Sequence, residues 1–270
     1  MSPSASLPAP LRGLRILTYN VHSCIGMDRR LDPNRIAEVI ARSKADIIAL
    51  HELDVGRKRT GGVDQAHTIA TLLNMDAHFH PTLHVQEERY GDAILTALPT
   101  RLVRAGPLPS VGETRGAIWL EVRTWHRVNV INTHLGLRAR DRMQQLATLL
   151  GEEWMGSAAF GALPAIICGD LNAVASSSVY RRLAQRFKDA QLLAGRKPRP
   201  TFSSRFPILR LDHIFVSKEF GVAASDISID RLARRASDHL PLMVELDLHA
   251  PEGLDALARC GGSLCAQPAY

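Results

Sequence analysis

A chain of 270 residues with 46% hydrophobic content holds ample apolar material for one large domain or two small ones, and no apolar stretch approaches the ~18–20 residues that cross a bilayer as a helix. Its formal charge of +6 suits a polyanionic partner (nucleic acid, an acidic lipid headgroup or a nucleotide) without choosing among them. The N-terminal MSPSASLPAPLRG has neither the early basic cluster nor the apolar core of a secretory signal. A cytoplasmic location with peripheral membrane contact left open, reduced cysteines and a flexible lead-in over 1–13 are therefore expected.

RILTYN reads as a first strand ending at Asn20. Asp32 and Pro33 then cap and open a helix that Ile36, Val39 and Ile40 continue at helical spacing. Asp46–Leu50 reads as a strand ending at His51 and Glu52, and Gln65–Leu73 as a second helix. Strands follow at Ala93–Thr96, Leu102–Ala105, Ala117–Val122 and Val128–Thr133. The spacing of Met143, Leu146, Leu149 and Leu150 predicts a long amphipathic helix over Arg138–Trp154. A strand at Ala165–Cys168, a helix over Ser178–Phe187 capped by Ser177 or Ser178, and strands at Ile214–Val216, Ile227–Ile229 and Leu242–Leu248 complete the series. Nothing interrupts the strands from Ile16 to Leu248, so a single domain over 14–249 and a peripheral tail over 250–270 are expected. Mixed sheets stacked face to face and covered by helices accommodate this order. A dinucleotide-binding fold fits less well, because no glycine-rich fingerprint follows the first strand.

Five apolar runs stop at a polar residue: RILTYN at Asn20, DIIALHE at Glu52, VNVINTH at His134, AIICGDLN at Asp170 and Asn172, and Asp238-His239 before LPLMVEL. Such runs read as buried strands delivering those residues to a sheet edge. Gathered on one rim they form a hard-cation site beside two histidines, the groups needed for metal-assisted attack on a phosphate ester. Glu52 suits Mg²⁺, which takes one or two carboxylates plus waters and phosphate oxygens. Asp170 and Asn172 flank Leu171, so in an extended segment they share a face and can hold an attacking water and a phosphoryl oxygen; the plainer reading is an Asx turn with Gly169 supplying the bend. His239 as neutral imidazole can serve as general base, oriented by Asp212, while His213 faces the other side of its strand; a helix cap or loop at Ser237–His239 is the alternative. His134 can donate to developing phosphate charge, with Glu88 expected to keep it protonated. Arg57, Lys58 and Arg59 beside Gly61-Gly62 either grip a substrate anion or decorate a turn. Zinc is disfavoured: there is no HExxH, CGGSLC matches no common knuckle, and His78, His80 and His84 read as surface or packing residues. No GxSxG elbow supports serine chemistry.

With TYNVH, IIALHELD, YGDAILTALP, INTHLG, ICGDLNA, LDHIFV and SDHLPL in that order, the chain resembles the endonuclease/exonuclease/phosphatase superfamily over roughly Arg15 to Leu248. The resemblance implies a four-layer α/β/β/α sandwich with a Mg²⁺- or Mn²⁺-dependent site at one end. It makes Asn20 and Glu52 metal-site residues, Glu52 as direct ligand, with Asp238 as a further metal or water ligand. His134 resembles the phosphate-stabilising histidine, Asp170 and Asn172 the pair positioning nucleophile and phosphate, His239 the base and Asp212 its orienting carboxylate. One departure is Asp92, where many members carry Asn. The expected function is a divalent-metal phosphoesterase, foremost a phosphodiesterase, with Arg57, Arg59 and Asn172 binding a nucleic-acid, phospholipid or small phosphoester substrate. A silent polyanion-binding domain is the alternative, and no oligomeric state follows from the sequence.

Overall fold

The computed structural model describes residues 13–248; the expected lead-in (except Gly13) and tail, with Cys260 and Cys265, lie outside the described residues. In chain order the first half comprises β1 (Leu14–Asn20), α1 (Pro33–Ala41), β2 (Ile47–Val55), α2 (Gln65–Leu73), β3 (Asp76–Val85), β4 (Glu88–Thr96), β5 (Thr100–Leu108), β6 (Arg115–Arg123) and β7 (Arg127–Thr133). Then come α3 (Ala139–Leu150), α4 (Ala158–Gly161), β8 (Ala165–Asp170), α5 (Ser178–Ala184), β9 (Lys188–Asp189) and α6 (Ala190–Leu193). The last elements are β10 (Asp212–Val216), β11 (Phe220–Ile227), α7 (Arg231–Ala236) and β12 (Leu242–Leu248).

The strands form two six-stranded sheets, ordered β11-β12-β1-β2-β4-β3 and β5-β6-β7-β8-β10-β9. Each is mixed, with one parallel pair, β1–β2 in the first and β7–β8 in the second. Side-chain alternation explains why the central strands read as unbroken apolar runs. Leu120, Val130, Ile166 and Ile214 of the second sheet join the core shared with Ile16, Ile48 and Ile94 of the first. Their neighbours Trp119, Ile131, Ile167 and Phe215 face the other way, onto Leu146 and Leu149 of α3 and Val179 and Leu183 of α5. Helices α1 and α2 bury Ile36, Ile40 and Ile69 on the outer side of the first sheet. The result is the four-layer α/β/β/α sandwich that the sequence led us to expect.

Local chemistry sets the helix starts. Asp32 accepts from the Arg35 N–H at 3.0 Å with Pro33 in the first turn, and Ser177, of the two serines considered, caps α5 by accepting from Tyr180 at 3.3 Å. The third helix ends at Leu150 rather than Trp154; a turn at Gly151 then folds Trp154 into the core. The fifth stops at Ala184, short of the buried Phe187. β11 ends at Ile227, leaving Ile229 exposed. The strand β3 was not anticipated. It is an edge strand containing Pro81 at a register irregularity, where a missing N–H costs no ladder bond. DAHFHPTLHV does alternate, with Ala77, Phe79, Leu83 and Val85 between polar residues, but Pro81 and three histidines disguise the strand. Buried polar ties cross between the sheets, among them His51 Nε2, 2.6 Å from Asn132 Oδ1, and Asn132 Nδ2, which donates to Leu50 O and Ala93 O. Among the described residues no helix is long and apolar enough to cross a membrane.

Candidate active site

Four strand ends and two loops converge at one end of the sandwich. Asn20 closes β1, and its carbonyl accepts from Ser237 Oγ at 2.8 Å. Glu52 sits at a bulge in β2, at φ 61°, where the register against β4 shifts between Leu50 and Leu53. A bulge re-aims a side chain: His51 points into the intersheet contact with Asn132, while Glu52 turns into the cleft. β2 then continues to Val55, so the expected loop after Glu52 begins later. At the end of β8, Gly169 takes φ 151°, and a Cβ there would lie 1.8 Å from Thr133 O, so only glycine lets β7 and β8 approach this closely.

The segment after Gly169 corrects the extended geometry expected for it. Asn172 adopts φ 47° and its N–H donates to Asp170 Oδ1 at 2.9 Å. This is the Asx turn, yet it brings both side chains to the cleft. Asn172 Nδ2 lies 3.1 Å from His134 Nε2 and donates to Leu135 O at 2.9 Å.

One chain of hydrogen bonds and close charge contacts joins the expected residues. Asn20 Nδ2 donates to Glu52 Oε1 at 2.8 Å and to Asp170 Oδ2 at 3.1 Å. Asp170 Oδ2 lies 3.6 Å from His134 Nε2 and also 3.6 Å from His239 Nε2. His239 Nδ1 is 2.8 Å from Asp212 Oδ2, which also accepts from Thr201 Oγ1 at 2.6 Å. His213 faces away, as expected, with Nε2 on Ala173 O. Asp238 stands at the outer edge, 3.8 Å from His22 Nδ1, which is also 3.6 Å from Glu52 Oε2. A cavity of about 460 Å³ opens beside Glu52, lined by His22, Arg57, Arg59, Tyr90 and Thr114 among others. Arg59 is forked onto buried Asp54 at 2.7 and 2.8 Å, and Arg57 lies 3.5 Å from Glu88.

Glu88 is therefore not the partner of His134. Its carboxylate faces Arg57 and the Lys58 N–H. Instead, buried Arg115, itself paired with Glu113, points Nη1 at His134 Nδ1 from 3.1 Å. Burial and the Arg115 charge push the His134 imidazole well below its ordinary value, so it is neutral. Because the guanidinium can only donate, Nδ1 is the acceptor and the ring hydrogen sits on Nε2, facing the cleft.

The remaining groups are shifted by one another. Burial opposes ionisation of Glu52, but the His22 hydrogen bond, the Asn20 amide and the His22 charge outweigh it and hold the carboxyl well below the usual range. Burial and the neighbouring Asp212 raise Asp170. Asp212, buried as well, is lowered by the charge of His239 and by hydrogen bonds from His239 and Thr201. Burial works against charge on His239, yet Asp212, Asp170 and Asp238 push its imidazole up to about 10. Asp92, the departure noted above, is raised to about 6 by burial; its Oδ1 is 3.4 Å from the Glu52 N–H.

The donor set fits a hard divalent cation. It consists of carboxylate and amide oxygens with no thiolate, which suits Mg²⁺ or Mn²⁺, and the buried Asp212 Oδ1 has no hydrogen-bond partner among the described residues. Asp170, Asp212 and His239 offer ligand atoms all within 4.8 Å of one another. Asp212 Oδ2 and His239 Nδ1 are already bonded to each other, however, so partly open Glu52 is the freer ligand. His22, Arg115 and Thr201 escaped sequence reasoning. His22 lies inside TYNVH and could have been found there; Arg115 and Thr201 carry no local signal.

Residues 17–239 match the model of the Endonuclease/Exonuclease/phosphatase family. The chain is 27% identical over 248 residues to the uncharacterized protein YbhP of Escherichia coli (strain K12), covering 87% of this chain and 96% of that protein. Its fold is similar to that of an endonuclease/exonuclease/phosphatase from Beutenbergia cavernae DSM 12333, with a TM-score of 0.72 and 23% identity over 88% of this chain and 72% of that one. It is also similar to the mannosyl-6-phosphatase Bt3783 of Bacteroides thetaiotaomicron VPI-5482, with a TM-score of 0.69 and 19% identity over 86% and 99% of the two chains.

Proposed function

The chain belongs to the endonuclease/exonuclease/phosphatase family, and on that footing we propose that it is a divalent-metal-dependent phosphodiesterase acting through the cleft between its two sheets. The observation that carries this reading is Asp170 Oδ2, 3.6 Å from the Nε2 atoms of both His134 and His239 and bonded through Asn20 to Glu52. A base, a phosphate donor and a cation ligand thus share one carboxylate and one amide.

Glu52 would hold Mg²⁺ or Mn²⁺, with Asn20 and Asp238 beside it. When bound, such an ion would offset the carboxylate field that keeps His239 protonated and would draw charge off the phosphoryl oxygens. His239 Nε2 removes the proton of an attacking water, while Nδ1 stays hydrogen-bonded to Asp212 and fixes the ring. The water oxygen bonds to phosphorus as the in-line P–O bond to the ester oxygen breaks, and that alkoxide or phenolate leaves into solvent, which supplies any proton it takes. Asp170 positions that water. The Nε2–H of His134 and the free amide hydrogen of Asn172 are two donors 3.1 Å apart; a phosphoryl oxygen between them would accept from both. Arg57 and Arg59, on the adjoining cavity, take the remainder of an anionic substrate. One catalytic domain over 14–249 and a cytoplasmic location belong to the same proposal, with Cys24 and Cys168 present as buried free thiols.

Hydrolysis of bis-p-nitrophenyl phosphate with Mg²⁺, with Mn²⁺ and with chelator tests the reading. Turnover that the chelator abolishes supports it. No turnover with either ion would reduce the protein to an anion-binding domain.

A further inference from the structure

Among the described residues, the four most exposed large apolar side chains are Ile208 (78%), Phe206 (77%), Leu137 (75%) and Val111 (64%). All four lie on loops at the end of the sandwich that carries the cleft. Val111 joins β5 to β6, Leu137 lies between His134 and α3, and Phe206 and Ile208 precede β10.

These loops are firmly held. In the Thr201–Leu209 hairpin, Thr201 N and Phe202 N both donate to Leu209 O at 3.0 Å, and Ile208 N donates to Phe202 O at 2.8 Å. Ser204 N donates to Asp238 O and Leu240 N to Thr201 O, tying the hairpin to both sides of His239. Arg234 Nη1 donates to the Ser204 and Arg205 carbonyls, and the Phe202 ring stands 4.9 Å from the His239 ring. On the opposite rim, Gln145 links the other two loops by donating to Ser110 Oγ and accepting from the Gly136 N–H. The apolar tips are thus presented outward around one mouth instead of folding back. Water is a poor neighbour for them, and exposed apolar side chains rimmed by polar ones mark a contact surface.

Charge identifies the occupant. Exposed Arg29, Arg30, Lys58, Arg89, Arg138 and Arg205 lie at the same end and form no ion pair among the described residues. Exposed carboxylates on those loops are fewer: Asp64, Glu87 and Glu113. Apolar tips ringed by unpaired cations suit a bilayer bearing anionic headgroups, where aliphatic and aromatic groups enter the headgroup boundary and arginines meet phosphates.

We propose that this end of the molecule docks on an anionic phospholipid surface through Phe206, Ile208, Leu137 and Val111, bringing the cleft to the phosphodiester of a lipid headgroup. The inference rests on the phosphoesterase reading for its substrate class, but the docking can be measured without turnover. In chelator, the full chain should sediment with phosphatidylglycerol vesicles, not with phosphatidylcholine vesicles, and less at high salt. The double variant Phe206→Ser/Ile208→Ser should lose roughly tenfold or more of that partition, since two apolar side chains no longer leave water. It should still hydrolyse soluble bis-p-nitrophenyl phosphate at the parental rate. Failure to bind phosphatidylglycerol, equal binding to both lipids, or undiminished binding by the double variant each overturns the docking. So does a parental dimer in light scattering that the two substitutions dissolve, which would make this end a self-association surface. Vesicle binding by a parent inactive on the soluble diester would sink the hydrolytic reading alone.

Discussion

Glu52 and Asp212 are both carboxylates carried by strands at the cleft, yet the fold holds them in different ways. Glu52 stands on a bulge with its side chain 23% exposed, and its low pKa depends on the His22 ring and the Asn20 amide. Asp212 starts a regular strand, is fully buried, and is bound to His239 and Thr201. The open half offers an ionised oxygen that solvent-borne ions can reach. The closed half keeps one ring in one orientation. Exchange and positioning are thus separated by the width of the cleft, with Asp170 as the group common to both.

Removing the shared or the reacting group should do most harm. His239→Ala and Asp170→Ala are each expected to lower turnover of bis-p-nitrophenyl phosphate by at least ~10²-fold, with far-UV circular dichroism unchanged; near-parental rates in either would dissolve the assignment. Next comes the support of the open half. The Asp92 carboxyl is raised to about 6 from 3.8, so its stabilising protonated form is fully present below the unfolded value and lost as pH rises through 6. At roughly 1.4 kcal/mol per unit, Asp92→Asn should stabilise the metal-free protein by about 3 kcal/mol at pH 8, and the gain should vanish below pH 4. Urea melts in chelator at the two pH values measure this, and a gain that ignores pH would contradict it.

Two smaller effects separate the halves directly. Asp212→Asn removes the foremost group raising the His239 imidazole, so the ring should titrate below 10 in chelator by NMR, with turnover down roughly tenfold as orientation is lost. Glu52→Gln should leave that titration nearly in place and instead raise the Mg²⁺ concentration needed for half-maximal rate by roughly tenfold or more. If both variants changed metal demand alike, the contrast between the halves would be false.

The strand ends are legible because an apolar run announces a buried strand: Asn20, His134 and Asp170 lie at the close of one, Glu52 follows the apolar part of β2, and His239 precedes β12. What it concealed is turn geometry and register. Nothing in IIALHELD reveals that Glu52 lies on a bulge, and the DLN segment reads equally well extended or turned. Glu88 is not the partner of His134 because β4 runs antiparallel to β2: Arg89 pairs with Val55, which leaves Glu88 beside Arg57. The true neighbour of His134 is Arg115, at the start of β6, the strand that precedes β7 and pairs with it antiparallel. The His51–Asn132 tie joins different sheets over 81 positions, a distance at which local pattern carries no information. The edge strand β3 escapes because Pro81 and its three histidines mask the alternation of Ala77, Phe79, Leu83 and Val85.

The hydrogen atom at the α-carbon of Gly169 has no room to become anything larger. A methyl group there would collide with the Thr133 carbonyl, and relief would come only by prising apart the two neighbouring strands that end at His134 and Asp170. An alanine at 169 would therefore silence the cleft without altering a single group that meets substrate. Laboratory screens that vary only charged or polar positions would overlook the glycine with the least room among the described residues.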